Sequence, residues 1–239
     1  MIKIGTSGWS YQHWSGILYP PNSSSYSQLN YYLKKYDTVE INSSFYHWPR
    51  NKTFKSWYLR TTKNFILTIK APRMLTHFKR LYAPEKWISR IAQDLHEINQ
   101  PDSKMGPLLV QLSPYFSYDY ARLQYFLEKM PQWIKVVMEF RHPSWHQDAV
   151  FQLLEKHNAS YCVMSGYNLP CIIKATNNLV YLRLHGIHDG CYREEDLQYW
   201  AARVIEWAAQ GRDVFVYFNN DGNGYAIYNS LRLKSILSV

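Results

Sequence analysis

The sequence predicts an α/β protein built as a single (β/α)8 barrel of TIM type, and three observations carry that expectation. Eight short apolar runs rich in β-branched and aromatic residues recur along 239 residues, and a segment with helical spacing follows nearly every one. Several runs are apolar at almost every position, as strands covered on both faces must be. The strands are read at 2–5, 38–42, 65–70, 108–112, 136–140, 161–163, 180–184 and 214–218. Helices are read at 26–36 after a Ser run that offers caps, at 53–61 after Asn51, and at 84–98 with Pro84 in a first-turn position. Four more are read at 118–130, 146–157, 194–209 (closed by Gly211) and 225–237. Around 167–176, after the sixth strand, the helical pattern is poorest. An open doubly wound sheet is the alternative, because a sequence does not show whether its last strand closes on its first. No linker or low-complexity tract divides the chain, so residues 1–239 read as one domain.

Composition narrows the class. Hydrophobic residues make up 46% of the chain, enough for a substantial core. Cys162, Cys171 and Cys191 form neither a CxxC clip nor a disulfide framework, which points to a reducing, cytoplasmic setting. No run of about 18 apolar residues is present, and the first strand begins at residue 2, leaving no room for a signal peptide. Membrane spanning, secretion and disorder are therefore not expected.

The net charge of +9 is unevenly spread. Residues 1–90 hold 14 Lys/Arg against 3 acids, while 91–239 hold 13 against 15. Residues 50–80 contain nine basic residues and no acid, with Phe54, Trp57, Tyr58, Phe65 and Phe78 between them. A basic and aromatic segment of this kind attracts polyanions and offers faces on which bases stack. A solvated helix face over ordinary core aromatics explains the same pattern.

In barrels the chemistry lies at the carboxyl ends of the strands, where alternate side chains point into the mouth. Reading those ends at period 2 gives Glu40-x-Asn42, Thr68-x-Lys70, Gln111, Glu139-x-Arg141, Arg183-x-His185, and Asn219 followed by Asn220 and Asp221. Ionisable groups at such positions are costly unless paired or used, so their gathering at one end points to a site. Glu40, Glu139, His185 and His142 are the catalytic candidates. Asn42, Lys70, Gln111, Arg141, Arg183, Asn219 and Asp221 are the substrate-binding candidates, with Trp14 and Tyr46 supplying aromatic surface. His77, just after the third strand, is a further histidine to follow. An internal ion-pair network among Glu40, Lys70, Glu139, Arg141 and Arg183 would use the same residues without any chemistry.

Three cations beside the carboxylates leave little negative potential for a bare metal ion, and no HExxH, HxxE or paired-His spacing occurs. The same cations suit an anionic group, held in bidentate fashion by Arg. The turn Asn219-Asn220-Asp221-Gly222-Asn223-Gly224 precedes a helix at the place where barrels often bind phosphate, although a capped helix start would look the same. Ser7 has no GxSxG elbow or triad order to make it a nucleophile.

Several phrases combine: Ile4-Gly5-Thr6-Ser7-Gly8-Trp9-Ser10-Tyr11, Val39-Glu40-Ile41-Asn42-Ser43-Ser44-Phe45-Tyr46, and Lys70-Ala71-Pro72-Arg73 with Thr76-His77. To these are added Gly106-Pro107-Leu108-Leu109-Val110-Gln111-Leu112, Glu139-Phe140-Arg141-His142-Pro143-Ser144-Trp145, Leu182-Arg183-Leu184-His185-Gly186 and Tyr217-Phe218-Asn219-Asn220-Asp221. With them the chain resembles the YecE-like proteins, domain of unknown function 72, from its first strand to its last helix. The resemblance implies a TIM-like barrel of bacterial cytoplasmic type and carries no established reaction or cofactor. On fold, members have been likened to metal-dependent barrel endonucleases and sugar isomerases. Val163-Met164-Ser165-Gly166 lacks the acidic residue associated with that place in the family.

Three functional expectations result. The first is an enzyme binding a phosphate-bearing or other anionic small molecule in the barrel mouth, with carboxylate and histidine acid–base chemistry performing hydrolysis or isomerisation. The second is a nucleic-acid-binding module using residues 50–80. The third is a metal-dependent nuclease or sugar isomerase.

Overall fold

The computed structural model describes all residues, 1–239. Its chain alternates strand and helix as the sequence expects: β1 (Ile2–Thr6), α1 (Ser25–Leu33), β2 (Thr38–Ile41), α2 (Ser43–Tyr46), α3 (Asn51–Arg60), β3 (Ile66–Lys70), α4 (Glu85–Leu95) and β4 (Met105–Gln111). There follow α5 (Tyr120–Lys129), β5 (Val136–Glu139), α6 (Asp148–Lys156), β6 (Ser160–Ser165), β7 (Leu179–Leu184), α7 (Glu194–Ala209), β8 (Asp213–Phe218) and α8 (Tyr225–Leu237). The strands form one sheet in the order β1-β8-β7-β6-β5-β4-β3-β2, and a parallel bridge between Ser7 and Glu40 joins the ends of that order. This is the (β/α)8 barrel, not the open sheet.

Strand chemistry explains the sheet. Apart from a few terminal positions every strand residue is buried, so β-branched and aromatic side chains pack on both faces, as parallel sheets require. Helix starts follow local capping: the Ser24 hydroxyl accepts from Ser27 N–H, and Asp119 accepts from Arg122 N–H. At α7 the Asp196 carboxylate accepts from the Arg193 N–H at 2.8 Å, with Glu194 and Glu195 also in its first turn. Between β6 and β7 there is no helix, matching the poor pattern there. Two local features are not expected from spacing: the single turn α2, and a wide π-type turn at Met74–Phe78 closed by Lys79 N–H to Met74 C=O at 2.9 Å.

The residues cluster into two compact units: Met1–Glu40, Val163–Ile173 and Asn178–Val239 in the first, Ile41–Cys162 and Lys174–Asn177 in the second. In the first unit, β1, β7 and β8 pair in register, with Arg183 level with Tyr217 and Leu184 with Phe218. Gly5 lets β1 pass close to β2, since a Cβ there would stand 2.5 Å from the Thr38 carbonyl oxygen. In the second unit, β3, β4 and β5 pair in parallel, and a register shift between Leu67 and Ile69 accompanies the Gly106-Pro107 start of β4.

Candidate functional site

The ionisable residues of the first unit gather around Glu40. Strand β2 buries this side chain completely. Its Oε1 accepts from the Ser7 hydroxyl at 2.6 Å and from Arg183 Nη2 at 2.8 Å. Its Oε2 accepts from the Tyr181 hydroxyl at 2.6 Å and from Arg183 Nε at 3.0 Å. Arg183 thus grips the carboxylate with both arms of its fork, and four bonds take up the lone pairs of two oxygens. Burial, reinforced by the Glu40 charge, pushes Tyr181 well above the ordinary phenol range, so its hydroxyl remains a donor. Arg183 is 0% exposed as well. A charge pair this deep needs every bond it makes, because either ion alone would be stranded without water.

His185 and Asn219 lie after β7 and β8, and the Asn219 amide meets His185 Nδ1 at 3.0 Å. Asp221 binds the β1 loop: it accepts from the indole of Trp14 at 2.7 Å and sits 3.2 Å from His13 Nε2. Burial raises the Asp221 carboxyl above its usual range, while His13 and Trp14 pull it back down. Trp14 is 0% exposed, so its faces are covered by the protein itself.

In the second unit the charges are more open. Glu139, the last residue of β5, is fully buried, and its Oε1 accepts from Arg141 Nε at 2.5 Å and from Arg141 Nη2. The Cys162 thiol approaches Oε2 at 3.7 Å. The Arg141 side chain keeps 17% of its surface in water. Gln111 stands level with Glu139 across β4 and β5. Lys70, at the end of β3, places its ammonium 4.3 Å over the face of Phe45. Ser44 fixes α2 to that strand end, its hydroxyl lying 2.7 Å from the Lys70 carbonyl.

The π-type turn carries His77 toward this group. The His77 ring meets Phe45 edge to face at 4.9 Å, and its Nδ1 lies 3.0 Å from the Thr76 hydroxyl. Burial lowers the His77 pKa, Lys70 and Arg141 lower it further, and Glu139 opposes them. The balance of these influences favours the neutral form of His77, and Phe45 links it to Lys70, whose ammonium lies over the same ring. His142 faces a different task, since its Nδ1 accepts from the Ser144 N–H at 3.2 Å and meets the Ser144 hydroxyl at 2.8 Å, capping the turn Pro143–Trp145. Asn42 opens the turn α2, and Tyr46 ends it with 60% of its surface exposed.

The basic segment 50–80 separates on folding. Phe54, Trp57 and Phe65 enter the core, Lys63 reaches Asp102, and Lys70 joins the cluster above. No group of three or more His, Cys, Asp or Glu side chains is assembled for a metal ion. The carboxylate that β5 brings to the second unit is held by Arg141 instead, which does not fit a cation site.

Taken along its length, the sequence matches one family model, described as protein of unknown function DUF72, over residues 3–239. The chain belongs to the DUF72 family. A curated relative, UPF0759 protein YunF of Bacillus subtilis, is 26% identical across all of this chain and 95% of its own. UPF0759 protein YecE of Escherichia coli is 24% identical over 87% of this chain and 82% of its own. Among solved structures, a DUF72 family protein from Thermotoga maritima covers 100% of both chains with a TM-score of 0.90 at 26% identity. Another, from Enterococcus faecalis, covers 100% of this chain and 98% of its own with a TM-score of 0.82 at 21% identity, a likeness of fold. The DUF72 membership establishes the barrel and a family of unknown function.

Some residues of this DUF72 site are not among the sequence candidates. Tyr181 precedes Arg183 by two positions on β7, so the period that selects Arg183 would also have selected it. Phe45 and Cys162 carry no such signal, being ordinary apolar residues until folding sets them against Lys70 and Glu139. Ser7 lacks a nucleophile's motif, and the structure gives it a different part as a donor to Glu40.

Proposed function

We propose that the protein is an enzyme that takes a phosphate-bearing or otherwise anionic substrate at the Lys70, His77, Glu139 and Arg141 cluster. The observation that carries this reading is an arrangement of cations and one carboxylate: Arg141 grips buried Glu139 yet reaches water, and Lys70 at the end of β3 lies over Phe45 with His77 against the same ring. Lys70 and Arg141 hold the anion, Arg141 presenting planar donors and Lys70 a point charge. Glu139 fixes Arg141 and serves as the acid–base carboxylate, with neutral His77 as the proton acceptor and Gln111 orienting by hydrogen bonds. His142 caps the turn Pro143–Trp145 that follows Arg141. Hydrolysis of a phosphoester and proton abstraction at a sugar-like carbon both fit this set of groups.

In this reading Glu40 and Arg183 are the internal ion pair of the barrel, with Ser7 and Tyr181 completing it. His185, Asn219, Asp221 and Trp14 shape the loops of the first unit, and residues 1–239 work as one domain. Bacterial relatives and three cysteines that form no disulfide support a bacterial cytoplasmic setting. No helix is long and apolar enough to cross a membrane.

The test is a panel of phosphoesters and sugar phosphates assayed with wild type, Lys70→Met and Glu139→Gln. Lys70→Met is expected to weaken binding of the anion and Glu139→Gln to reduce turnover. Full activity in both variants on any substrate found would overturn the assignment.

A further inference from the structure

We infer that the anion held at the Lys70 and Arg141 end of the second unit is the phosphate of a nucleotide, whose base stacks on an aromatic strip running outward from Phe45. This rests on the anionic-substrate reading above and names its substrate class. The strip is continuous. Phe45 lies against the Lys70 ammonium at 4.3 Å and against Tyr46 at 5.1 Å, ring to ring. The Arg73 guanidinium is next, 5.9 Å from the ring of Tyr46 and 5.6 Å from that of Phe78.

Its outer members are open to water. Tyr46 is 60% and Phe78 64% exposed, and Arg73 between them is exposed too. Large aromatic faces gathered in water mark a binding surface more often than scattered single ones do. The Arg73 guanidinium lies near both exposed rings, and bases stack on aromatic rings and on guanidinium planes alike.

Three features select a nucleotide among anions. A base-free sugar phosphate would use Lys70 and Arg141 and leave the rings uncovered. The charges beside the strip, Arg73, Lys79 and Arg80 together with Lys70, are positive, which suits a phosphodiester or phosphomonoester and disfavours a cationic peptide. The chain of contacts runs from the buried Lys70 ammonium through Phe45 to the exposed Tyr46 ring, an order that matches phosphate and base in a nucleotide.

The ligand chemistry has two sources, a free mononucleotide and a single-stranded oligonucleotide, and one titration separates them. Ribose 5-phosphate, a nucleoside 5′-monophosphate and a short single-stranded oligonucleotide are titrated calorimetrically at two salt concentrations. The base-bearing ligands are expected to bind at least about tenfold tighter than ribose 5-phosphate. Tyr46→Ala and Phe78→Ala, both surface changes whose folding is checked by circular dichroism, are expected to weaken them about tenfold each and to leave ribose 5-phosphate unchanged. Lys70→Met should weaken all three. Tight mononucleotide binding identifies a small-molecule substrate, whereas binding of the oligonucleotide alone, with a steep loss in salt, identifies a strand. Equal affinity for ribose 5-phosphate and the nucleotides, or intact nucleotide binding in both aromatic variants, overturns this inference and leaves the anion reading standing. Failure of all three ligands to bind overturns both.

Discussion

Each unit of the molecule contains one Glu–Arg pair whose carboxylate is fully buried, and the two pairs are built differently. Glu40 and Arg183 are 0% exposed, joined in bidentate fashion, and closed off by Ser7 and Tyr181. Glu139 is equally buried, but its Arg141 reaches water and its electrostatic neighbours are a lysine and a neutral histidine. A carboxylate whose lone pairs are all taken by fixed donors has nothing left to offer a ligand. A pair whose arginine keeps part of its side chain in water has less desolvation to overcome and stays within reach of a solute. The same residue types thus make a sealed pair in one place and a part-wetted pair in the other, and surrounding side chains make the difference.

The sharpest way to break the comparison is to strand one ion of the sealed pair. Arg183→Met is expected to cost about 3–5 kcal/mol of stability by leaving the Glu40 charge without its partner. Glu40→Gln combined with Arg183→Met should recover a large part of that loss, because no buried charge is left unpaired and the amide accepts from one hydroxyl through its oxygen while its NH2 donates to the other. Urea unfolding of the single and double variants reads both, and additive losses would mean that the pair is not a unit.

For the open pair the larger effect should fall on chemistry. Glu139→Gln is expected to lower turnover about hundredfold or more while shifting the urea midpoint far less than Arg183→Met does. A variant that unfolds as readily as Arg183→Met would make Glu139 a second plug. Smaller again is Tyr181→Phe, which removes one neutral donor from Glu40 and should cost about 1–2 kcal/mol with no change in affinity for substrate.

The smallest effect is a pH dependence in the open cluster. His77 has a folded-state pKa below its unfolded value of about 6.5, so the folded state binds the proton less readily than the unfolded one. Its contribution to stability is complete above that pH and is lost as pH falls through the window below it. His146, lowered by burial, acts in the same direction. His77→Gln should flatten the acid limb of stability below about pH 6.5 without abolishing it. An unchanged limb would show that His77 is not held in its neutral form.

Much of the fold was legible because the barrel repeats one local rule. Apolar runs, helical spacing, the capping Ser run and the helix-poor stretch after β6 all act over a few residues, where composition and periodicity suffice. The strand ends were legible too, since period 2 exposes Glu40, Lys70, Glu139 and Arg183. The π-type turn at Met74–Phe78 was not, because nothing in Met74-Leu75-Thr76-His77-Phe78 distinguishes it from an ordinary helical turn. Nor did residues 50–80 announce that Phe54, Trp57 and Phe65 would enter the core while Phe78 stayed in water.

The sequence by itself determined the succession of strands and helices, the burial of both strand faces and the set of ionisable groups at the strand ends, since each depends on neighbours a few positions away. Only the tertiary structure decided which charges meet. Glu139 finds Arg141 two residues on, but Glu40 finds Arg183 and Tyr181 from β7, and His77 is set beside Lys70 through Phe45. Those meetings depend on strand register, side-chain reach and exclusion of water, which arise when distant segments pack and leave no trace in local spacing.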